Sequence, residues 1–84
     1  MTRQVHIVIV DDHPVVCFGL AALISLQPDM VVIGEAGSGE EACAICLERV
    51  PDVVLMDLKL PGLSGVQAIR RIRETHPGIR FIVL

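Results

Sequence analysis

Residues 5–12, Val-His-Ile-Val-Ile-Val-Asp-Asp, form an apolar run that ends in two adjacent carboxylates. The pattern recurs at residues 53–57, Val-Val-Leu-Met-Asp, where a single carboxylate closes the run. Runs rich in Val, Ile and Leu that do not alternate with polar residues are typical of strands covered on both faces of a parallel sheet. Two further runs, residues 31–33 and 81–84, complete a set of four predicted strands.

Three segments with helical signals separate these strands. They begin at residues 12–14, 38 and 64 and end at residues 27–28, 50–51 and 76–78. Pro14 suits a first helical turn, whereas Ser38 and Ser64 each stand three residues before a Glu or Gln, which is the spacing of a capping box. The order βαβαβαβ predicts an α/β fold with an open parallel sheet and right-handed crossovers.

The positions of the acidic residues select one strand order. Asp11 and Asp12 follow the first strand, and Asp57 follows the third. The order 2-1-3-4 makes these strands neighbours, so the three carboxylates meet at the topological switch point, where open α/β sheets place their ligands. The order 1-2-3-4 would separate them. We therefore predict the order 2-1-3-4.

Three converging carboxylates require compensation, because each pair at 4 Å repels by about 4 kcal/mol at an effective dielectric constant of 20. Oxygen ligands in an open site suit Mg²⁺, and a metal there would favour a bound phosphoryl group. One carboxylate could then serve as a nucleophile and form an aspartyl phosphate. The alternative interpretation assigns no chemistry: Asp11 and Asp12 cap the first helix, and Asp57 merely ends a strand.

Three motifs carry a resemblance to a known family. They are Val-Ile-Val-Asp-Asp-His-Pro at residues 8–14, Val-Ile-Gly-Glu-Ala at 32–36, and Asp-Val-Val-Leu-Met-Asp-Leu-Lys-Leu-Pro-Gly at 52–62. They resemble the receiver domains of bacterial two-component response regulators, in the LuxR/NarL-type subfamily whose receivers precede a helix-turn-helix domain. The resemblance covers nearly the whole chain and implies the flavodoxin-like receiver fold.

The resemblance also implies roles for individual residues. Asp57 matches the phosphoacceptor, which takes a phosphoryl group from the phosphohistidine of a histidine kinase. Asp11 and Asp12 match the acidic pair that binds Mg²⁺ beside Asp57, and Lys59 matches the position whose backbone carbonyl ligates the metal. Residues 61–62, Pro-Gly, match the turn after the phosphoacceptor. His13 follows the acidic pair and could adjust the site, but we expect a family-typical position without a chemical role.

The chain departs from the family pattern after the fourth strand. The family places a Ser or Thr directly after that strand, and a Lys and an aromatic switch residue on a fifth strand. The 84-residue sequence ends at Leu84. We therefore expect residues 1–84 to be one receiver domain truncated within the fourth strand, without the fourth helix, fifth strand and fifth helix, and defective in switching. The exposed edge and face of the fourth strand predict a homo-oligomer. The alternative function is a non-signalling fragment that folds by self-association.

Composition limits the remaining possibilities. Seven Lys and Arg residues against ten Asp and Glu residues leave a net charge of −3, without the clustered cations that nucleic acids require. The longest uncharged stretch contains Pro and Gly and is too short to span a membrane. The odd number of cysteines, all in apolar surroundings, suits buried thiols in a reducing cytoplasm, so a cytoplasmic location is expected. The pair Cys43 and Cys46 has C-x-x-C spacing, but it lies inside a helix among apolar residues and predicts core thiols.

Enzymatic function is not expected either. Phosphatases of the haloacid dehalogenase type also use an aspartyl phosphate, but their motif after the first strand is Asp-x-Asp. Here Asp11 and Asp12 are adjacent, and Asp57 is separate.

Overall fold

The structure, a computed structural model, describes residues 3–84. Strands and helices alternate along the chain in the predicted order, so the prediction of an α/β fold is confirmed. The elements are β1 (Val5–Val10), α1 (Pro14–Ser25), β2 (Met30–Ala36), α2 (Gly39–Glu48), β3 (Val53–Met56), α3 (Gly65–Thr75) and β4 (Arg80–Val83). Within residues 3–84, no helix combines the length and the apolar character needed to cross a membrane.

The four strands form one parallel sheet in the order β2-β1-β3-β4, which confirms the predicted topology. The boundaries of β1 and β3 agree with the prediction, whereas β2 is longer than the apolar run at 31–33. Residues 34–36, Gly-Glu-Ala, also pair with β1, because backbone hydrogen bonding does not require an apolar side chain. The register shifts between Ile7 and Val8, where β2 carries one additional residue.

Helices cover both faces of the sheet, as right-handed crossovers in this strand order require. On one face, α2 and α3 bury Val8, Val10, Val54 and Met56. The residues that these helices direct into this core are small or medium-sized: Ala42, Cys46, Ala68 and Ile72. On the other face, α1 packs Cys17 and Ile24 against Ile7 and Ile9.

Both predicted serine caps are present, but only the cap at Ser64 has the two hydrogen bonds of a capping box. Ser64 Oγ accepts the N–H of Gln67 at 3.2 Å, and Gln67 Oε1 accepts the N–H of Ser64 at 3.1 Å, which completes a capping box. Ser38 Oγ accepts the N–H of Glu41 at 3.1 Å. The Ser38 hydroxyl itself lies 3.4 Å from Glu41 Oε1, so this carboxylate contacts the cap side chain. Both α2 and α3 therefore begin where the sequence predicts.

Candidate functional site

Asp11 and Asp57 are placed side by side by the hydrogen bonding of the sheet. The N–H of Asp57 donates to Val10 O at 2.9 Å, and the N–H of Asp11 donates to Ala36 O at 3.0 Å. Each aspartate thus extends the ladder by one residue beyond its strand. One ligand atom from each of Asp11, Asp12, His13 and Asp57 lies within 4.8 Å of all the others. We call these four residues the acidic cluster.

Asp11 is the most enclosed member of the acidic cluster, with 7% of its surface exposed. Its Oδ1 accepts the backbone N–H of His13 at 2.8 Å and lies 2.6 Å from Nδ1 of the same residue. The thiol of Cys17 on α1 donates to the Asp11 carbonyl at 3.3 Å. The two contacts with His13 hold the Asp11 carboxylate in one orientation, and the Cys17 contact holds the backbone of Asp11 against α1.

His13 participates in the site, although the sequence predicted no chemical role for it. Its Nδ1 also lies 3.1 Å from Asp12 Oδ1, so one ring nitrogen faces two carboxylates. The hydrogen bond with Asp11, then the charges of Asp12, Asp11 and Asp57, raise the pKa of His13 above 6.5. Protonated His13 therefore offsets part of the repulsion within the acidic cluster. Its position two residues after Asp11 was the available sequence signal, because a side chain there can turn back onto the acid.

The backbone after β3 orients Asp57. Asp57 Oδ1 accepts the N–H of Lys59 at 2.9 Å, while the Lys59 side chain is exposed. Lys59 contacts Asp57 through its backbone amide, and the metal-ligating role of its carbonyl stays a prediction. The N–H of Gly65, at the start of α3, donates to Leu58 O at 3.1 Å. Asp57 is thus held between the end of β3 and the beginning of α3.

Glu40 on α2 supports the loop that follows Asp57. Its Oε1 accepts the N–H of Leu63 at 3.1 Å. Gly62 has φ = 68°, the left-handed conformation that glycine adopts readily, and this confirms the turn predicted at residues 61–62. A Cβ at Gly62 would also lie 2.7 Å from Glu40 Oε2. The contact between Glu40 and the loop joins residues 23 positions apart in sequence, so no local motif indicates it.

The interpretation of Asp11 and Asp12 as caps of α1 is wrong. His13 is the N-cap residue, and its side chain makes no capping hydrogen bond to the first turn of α1. Instead, the Asp11 side chain bonds to His13, and Pro14 removes one of the backbone donors that a cap would satisfy. The two acids are therefore available to the acidic cluster.

The acidic cluster fits a hard divalent cation. Three of its four donors are carboxylate oxygens, and the side chains of Asp12 and His13 are exposed, which leaves room for metal-bound water. Asp11 and Asp12 also line an open pocket of about 440 Å³, together with Glu35, Gly37 and the first turns of α1. The donor set is thus closer to that of Mg²⁺ than to the nitrogen and sulfur sets of zinc.

The cysteines are core residues, as predicted. Cys17 and Cys46 are buried, and Cys43 is half-buried. Burial raises the pKa of the Cys46 thiol to about 11 and also raises that of Cys43. Both thiols of the C-x-x-C pair are therefore protonated near neutral pH, which disfavours redox or metal chemistry there.

A sheet of order 2-1-3-4, with an acidic pair after β1 and a third carboxylate after β3, defines a receiver-type signalling module. Residues 7–84 match the family of the response regulator receiver domain. The chain therefore belongs to the response regulator receiver family.

Its curated relatives include transcription regulators of the LuxR/NarL type. The chain is 41% identical over 81 residues to the transcriptional regulatory protein LiaR of Bacillus subtilis, covering 96% of this chain and 38% of that protein. It is 38% identical over 77 residues to the nitrate/nitrite response regulator protein NarL of Escherichia coli K12, covering 92% and 36%. The chain thus spans little more than a third of the length of these relatives.

Solved structures show the same fold. The response regulator domain of Thermotoga maritima CheB superposes with a TM-score of 0.92 at 37% identity, covering 96% of this chain and 60% of that one. The signal receiver domain of the putative response regulator NarL from Mycobacterium tuberculosis gives a TM-score of 0.90 at 32% identity, covering 96% and 65%. The receiver fold is therefore shown both by sequence and by structure.

Proposed function

We propose that this chain is a phosphoacceptor module, in which Asp57 takes a phosphoryl group from the phosphohistidine of a histidine kinase. The observation that carries the proposal is the convergence of Asp11, Asp12 and Asp57 at the carboxyl ends of β1 and β3. Family membership supports the same role, because receivers of response regulators are signalling modules.

Among the three acids, Asp57 is the best placed nucleophile. Asp11 is buried, and its Oδ1 already contacts His13. Asp12 Oδ1 lies 3.1 Å from the same imidazole nitrogen. Asp57 is half-buried, and its Oδ1 accepts only the Lys59 N–H among the described residues. A carboxylate oxygen of Asp57 would attack phosphorus, the P–N bond to the donor imidazole would break, and the imidazole nitrogen would keep the electron pair.

We further propose that Mg²⁺ is bound by the carboxylates of Asp11, Asp12 and Asp57 and by the backbone carbonyl of Lys59. When bound, the ion would offset the negative charge of the phosphoryl oxygens beside the carboxylates. Asp11, oriented by His13 and Cys17, would act as a preformed ligand, whereas the exposed Asp12 would adjust its position.

Intact-mass measurement after incubation with acetyl phosphate or phosphoramidate and Mg²⁺ tests this function. We expect one added phosphoryl group in the wild type and none in Asp57→Asn. Asp52→Asn is the matched control, because Asp52 precedes β3 at the amino end of the strand, away from Asp57, and contacts Arg3 at 2.6 Å. Absence of the adduct in the wild type, or an equal adduct in Asp57→Asn, would exclude Asp57 as the phosphoacceptor.

The partners follow from this role. We propose a histidine kinase as the phosphoryl donor and a cytoplasmic location. The relatives are transcription regulators, so DNA binding is proposed for the whole protein and not for these 84 residues, whose net charge is −3. Defective switching of the 84-residue chain stays a prediction. Measuring its phosphorylation-dependent dimerisation tests this prediction, and we expect phosphorylation to leave the distribution between monomer and dimer unchanged.

A non-signalling fragment that self-associates is the second candidate function. It is favoured by the exposure of Ile82 and Val83 on β4, which pairs only with β3 among the described strands. A strand edge with exposed apolar side chains promotes pairing with another chain. Under this alternative, acetyl phosphate would modify neither the wild type nor Asp57→Asn, and Ile82→Lys would reduce association.

A further inference from the structure

The loop between β3 and α3, residues 57–64, is held by few hydrogen bonds. Of the backbone N–H groups in residues 59–63, those of Lys59 and Leu63 alone donate within the part of the chain that the structure describes. Lys59 donates to Asp57 Oδ1 at the start of the segment, and Leu63 donates to Glu40 Oε1 at its end. Each end is therefore fixed by a carboxylate, and the second carboxylate comes from helix α2.

The amino end of α2 lies directly against this loop. Both carboxylate oxygens of Glu40 face the loop: Oε1 accepts the Leu63 N–H at 3.1 Å, and a Cβ at Gly62 would lie 2.7 Å from Oε2. A Cβ at Gly39 would overlap the Leu63 carbonyl and lie 2.8 Å from the Leu63 Cβ. The glycine thus permits the close approach by which the Glu40 side chain reaches the backbone of the loop.

Glu40 is oriented differently from its neighbour Glu41. Both lie in the first turn of α2, where the helix dipole favours negative charge. Glu41 Oε1 lies 3.4 Å from the Ser38 hydroxyl and so stays at the helix cap. Glu40 turns toward the loop instead and accepts a charge-assisted hydrogen bond, which is stronger than a bond between neutral groups. Stabilisation of α2 alone therefore does not account for the contact that Glu40 makes.

A short and stiff segment connects Leu63 to Asp57. Residues 60–62, Leu-Pro-Gly, are all that separates Leu63 from Lys59. The ring of Pro61 fixes one of the backbone torsions in this segment, so a displacement at one end is passed to the other. The Lys59 N–H contacts Asp57 Oδ1 at 2.9 Å, and a reoriented Lys59 peptide would therefore reorient the Asp57 carboxylate.

We propose that Glu40 is a positioning residue for phosphoryl transfer to Asp57, which acts by holding the Leu63 amide and with it the loop that orients the Asp57 carboxylate. The inference rests on the proposed function, because the reaction concerned is the phosphorylation of Asp57. A displacement of about 1 Å at a reacting group can lower a rate about 100-fold. Leu60 and Leu63 also pack against the core, so loss of the Glu40 contact should shift the loop by less than that.

Intact-mass kinetics with acetyl phosphate and Mg²⁺ tests this role. We expect Glu40→Ala to lower the rate of phosphorylation by about threefold to tenfold, because the Leu63 N–H loses its acceptor. Glu40→Gln keeps an Oε1 acceptor without the charge, so its rate should stay within about twofold of the wild type. Glu48→Ala is the control on the same helix: Glu48 is exposed at the opposite end of α2, and its replacement should leave the rate unchanged. Circular dichroism should show that all three variants stay folded.

Amide hydrogen exchange of the metal-free chain gives a readout that does not depend on phosphorylation. In the wild type and in Glu40→Gln, the hydrogen bond should protect the Leu63 N–H. In Glu40→Ala, this amide should exchange at least about fivefold faster. The Gly65 N–H, which donates to Leu58 O, is the internal reference and should keep its rate in every variant. Unchanged exchange of Leu63 in Glu40→Ala would overturn the proposal, because Glu40 would then not hold the loop.

A double-variant comparison tests the path from Glu40 to the loop. Gly62→Ala places a methyl group against the Glu40 carboxylate and strains a backbone with φ = 68°. In the Glu40→Ala background only the strain remains, so Gly62→Ala should lower the rate of phosphorylation by a smaller factor there than in the wild type. Equal factors in the two backgrounds would contradict the proposed path.

The outcomes separate this inference from the proposed function. Absence of the phosphoryl adduct in the wild type would refute both. Wild-type kinetics in Glu40→Ala would overturn the role of Glu40 and leave Asp57 as the phosphoacceptor. The role of Glu40 would also be overturned if Glu40→Gln were as slow as Glu40→Ala, because the charge and not the hydrogen bond would then be responsible.

Discussion

Gly65 at the start of α3 lies so close to Asp57 that a Cβ at Gly65 would be 2.6 Å from the Asp57 carbonyl oxygen. The same Cβ would lie 2.6 Å from the Cα of Leu58, and Gly65 is buried. The position of the proposed phosphoacceptor therefore depends on how closely a helix can approach the backbone after β3.

The first prediction follows from that contact. Gly65→Ala should destabilise the chain by about 1–3 kcal/mol, because backbone atoms cannot yield as a flexible side chain can. It should also slow phosphorylation of Asp57 by displacing the carboxylate. Urea denaturation and intact-mass kinetics measure the two effects. Gly78→Ala is the control, since a Cβ there meets nothing within 4 Å. Wild-type stability in Gly65→Ala would contradict the prediction.

The second prediction concerns the N-terminal cap of α3. Ser64→Ala removes an acceptor for the Gln67 N–H and should lower the free energy of unfolding by about 1 kcal/mol. Because α3 begins next to the loop that carries Asp57, fraying there should also weaken Mg²⁺ binding. Urea denaturation with and without Mg²⁺ provides the measurement. Ser25→Ala is the comparison, because the Ser25 hydroxyl donates to Ala22 within α1 and caps no helix start. An equal effect in the two variants would refute the role of the cap.

The third prediction concerns the exposed metal ligand. Asp12→Asn should weaken Mg²⁺ binding by at least about tenfold, because it removes one negative charge from a cluster within 4.8 Å. Its exposed position should leave stability nearly unchanged. Titration calorimetry measures the affinity, and Asp29→Asn, in the exposed segment before β2, serves as the control. If Asp12→Asn bound Mg²⁺ like the wild type, Asp12 would not be a ligand.

The fourth prediction gives the pH dependence of the metal-free chain. Asp11, Asp12 and Asp57 face His13 and raise its pKa above 6.5 in the folded state. Protonated His13 therefore stabilises the fold fully below pH 6.5, and this stabilisation disappears as the pH rises through the raised pKa. His13→Gln should remove that part of the pH dependence in urea denaturation. A wild-type pH profile in His13→Gln would show that the contact has no energetic effect.

The fifth prediction concerns Cys46. Burial raises its pKa to about 11, so the thiol stays protonated at pH 8 and should react with iodoacetamide much more slowly than a free cysteine. Unfolding in urea should restore the ordinary rate. Mass spectrometry of peptides modified before and after unfolding distinguishes Cys46 from Cys17 and Cys43. Rapid modification of Cys46 in the native chain would contradict its burial between α2 and the sheet.

Much of the fold was predictable because strong local signals agreed with one another. The apolar runs ending in Asp11, Asp12 and Asp57 indicated both the strands and their order, and Ser38 and Ser64 marked two helix starts within one residue. The extension of β2 through residues 34–36 was not predictable, since Gly, Glu and Ala there have low strand propensity. Backbone pairing with Ile9 and Val10 on β1 stabilises the extended conformation that the local sequence alone does not favour.

The sequence by itself determined the class of the fold and the meeting of three carboxylates, because both follow from the periodicity of apolar residues and from the parallel direction of neighbouring strands. Only the tertiary structure decided that His13 turns onto two carboxylates, that Glu40 holds the loop after Asp57, and that Gly65 sets the approach of α3. The contacts of Glu40 and Gly65 depend on ångström-scale distances between separate elements, and the contacts of His13 depend on the direction in which its ring turns. A local pattern contains neither. The exposure of α1 was equally hidden, because a wholly apolar helix looks like a buried one until its surroundings are known.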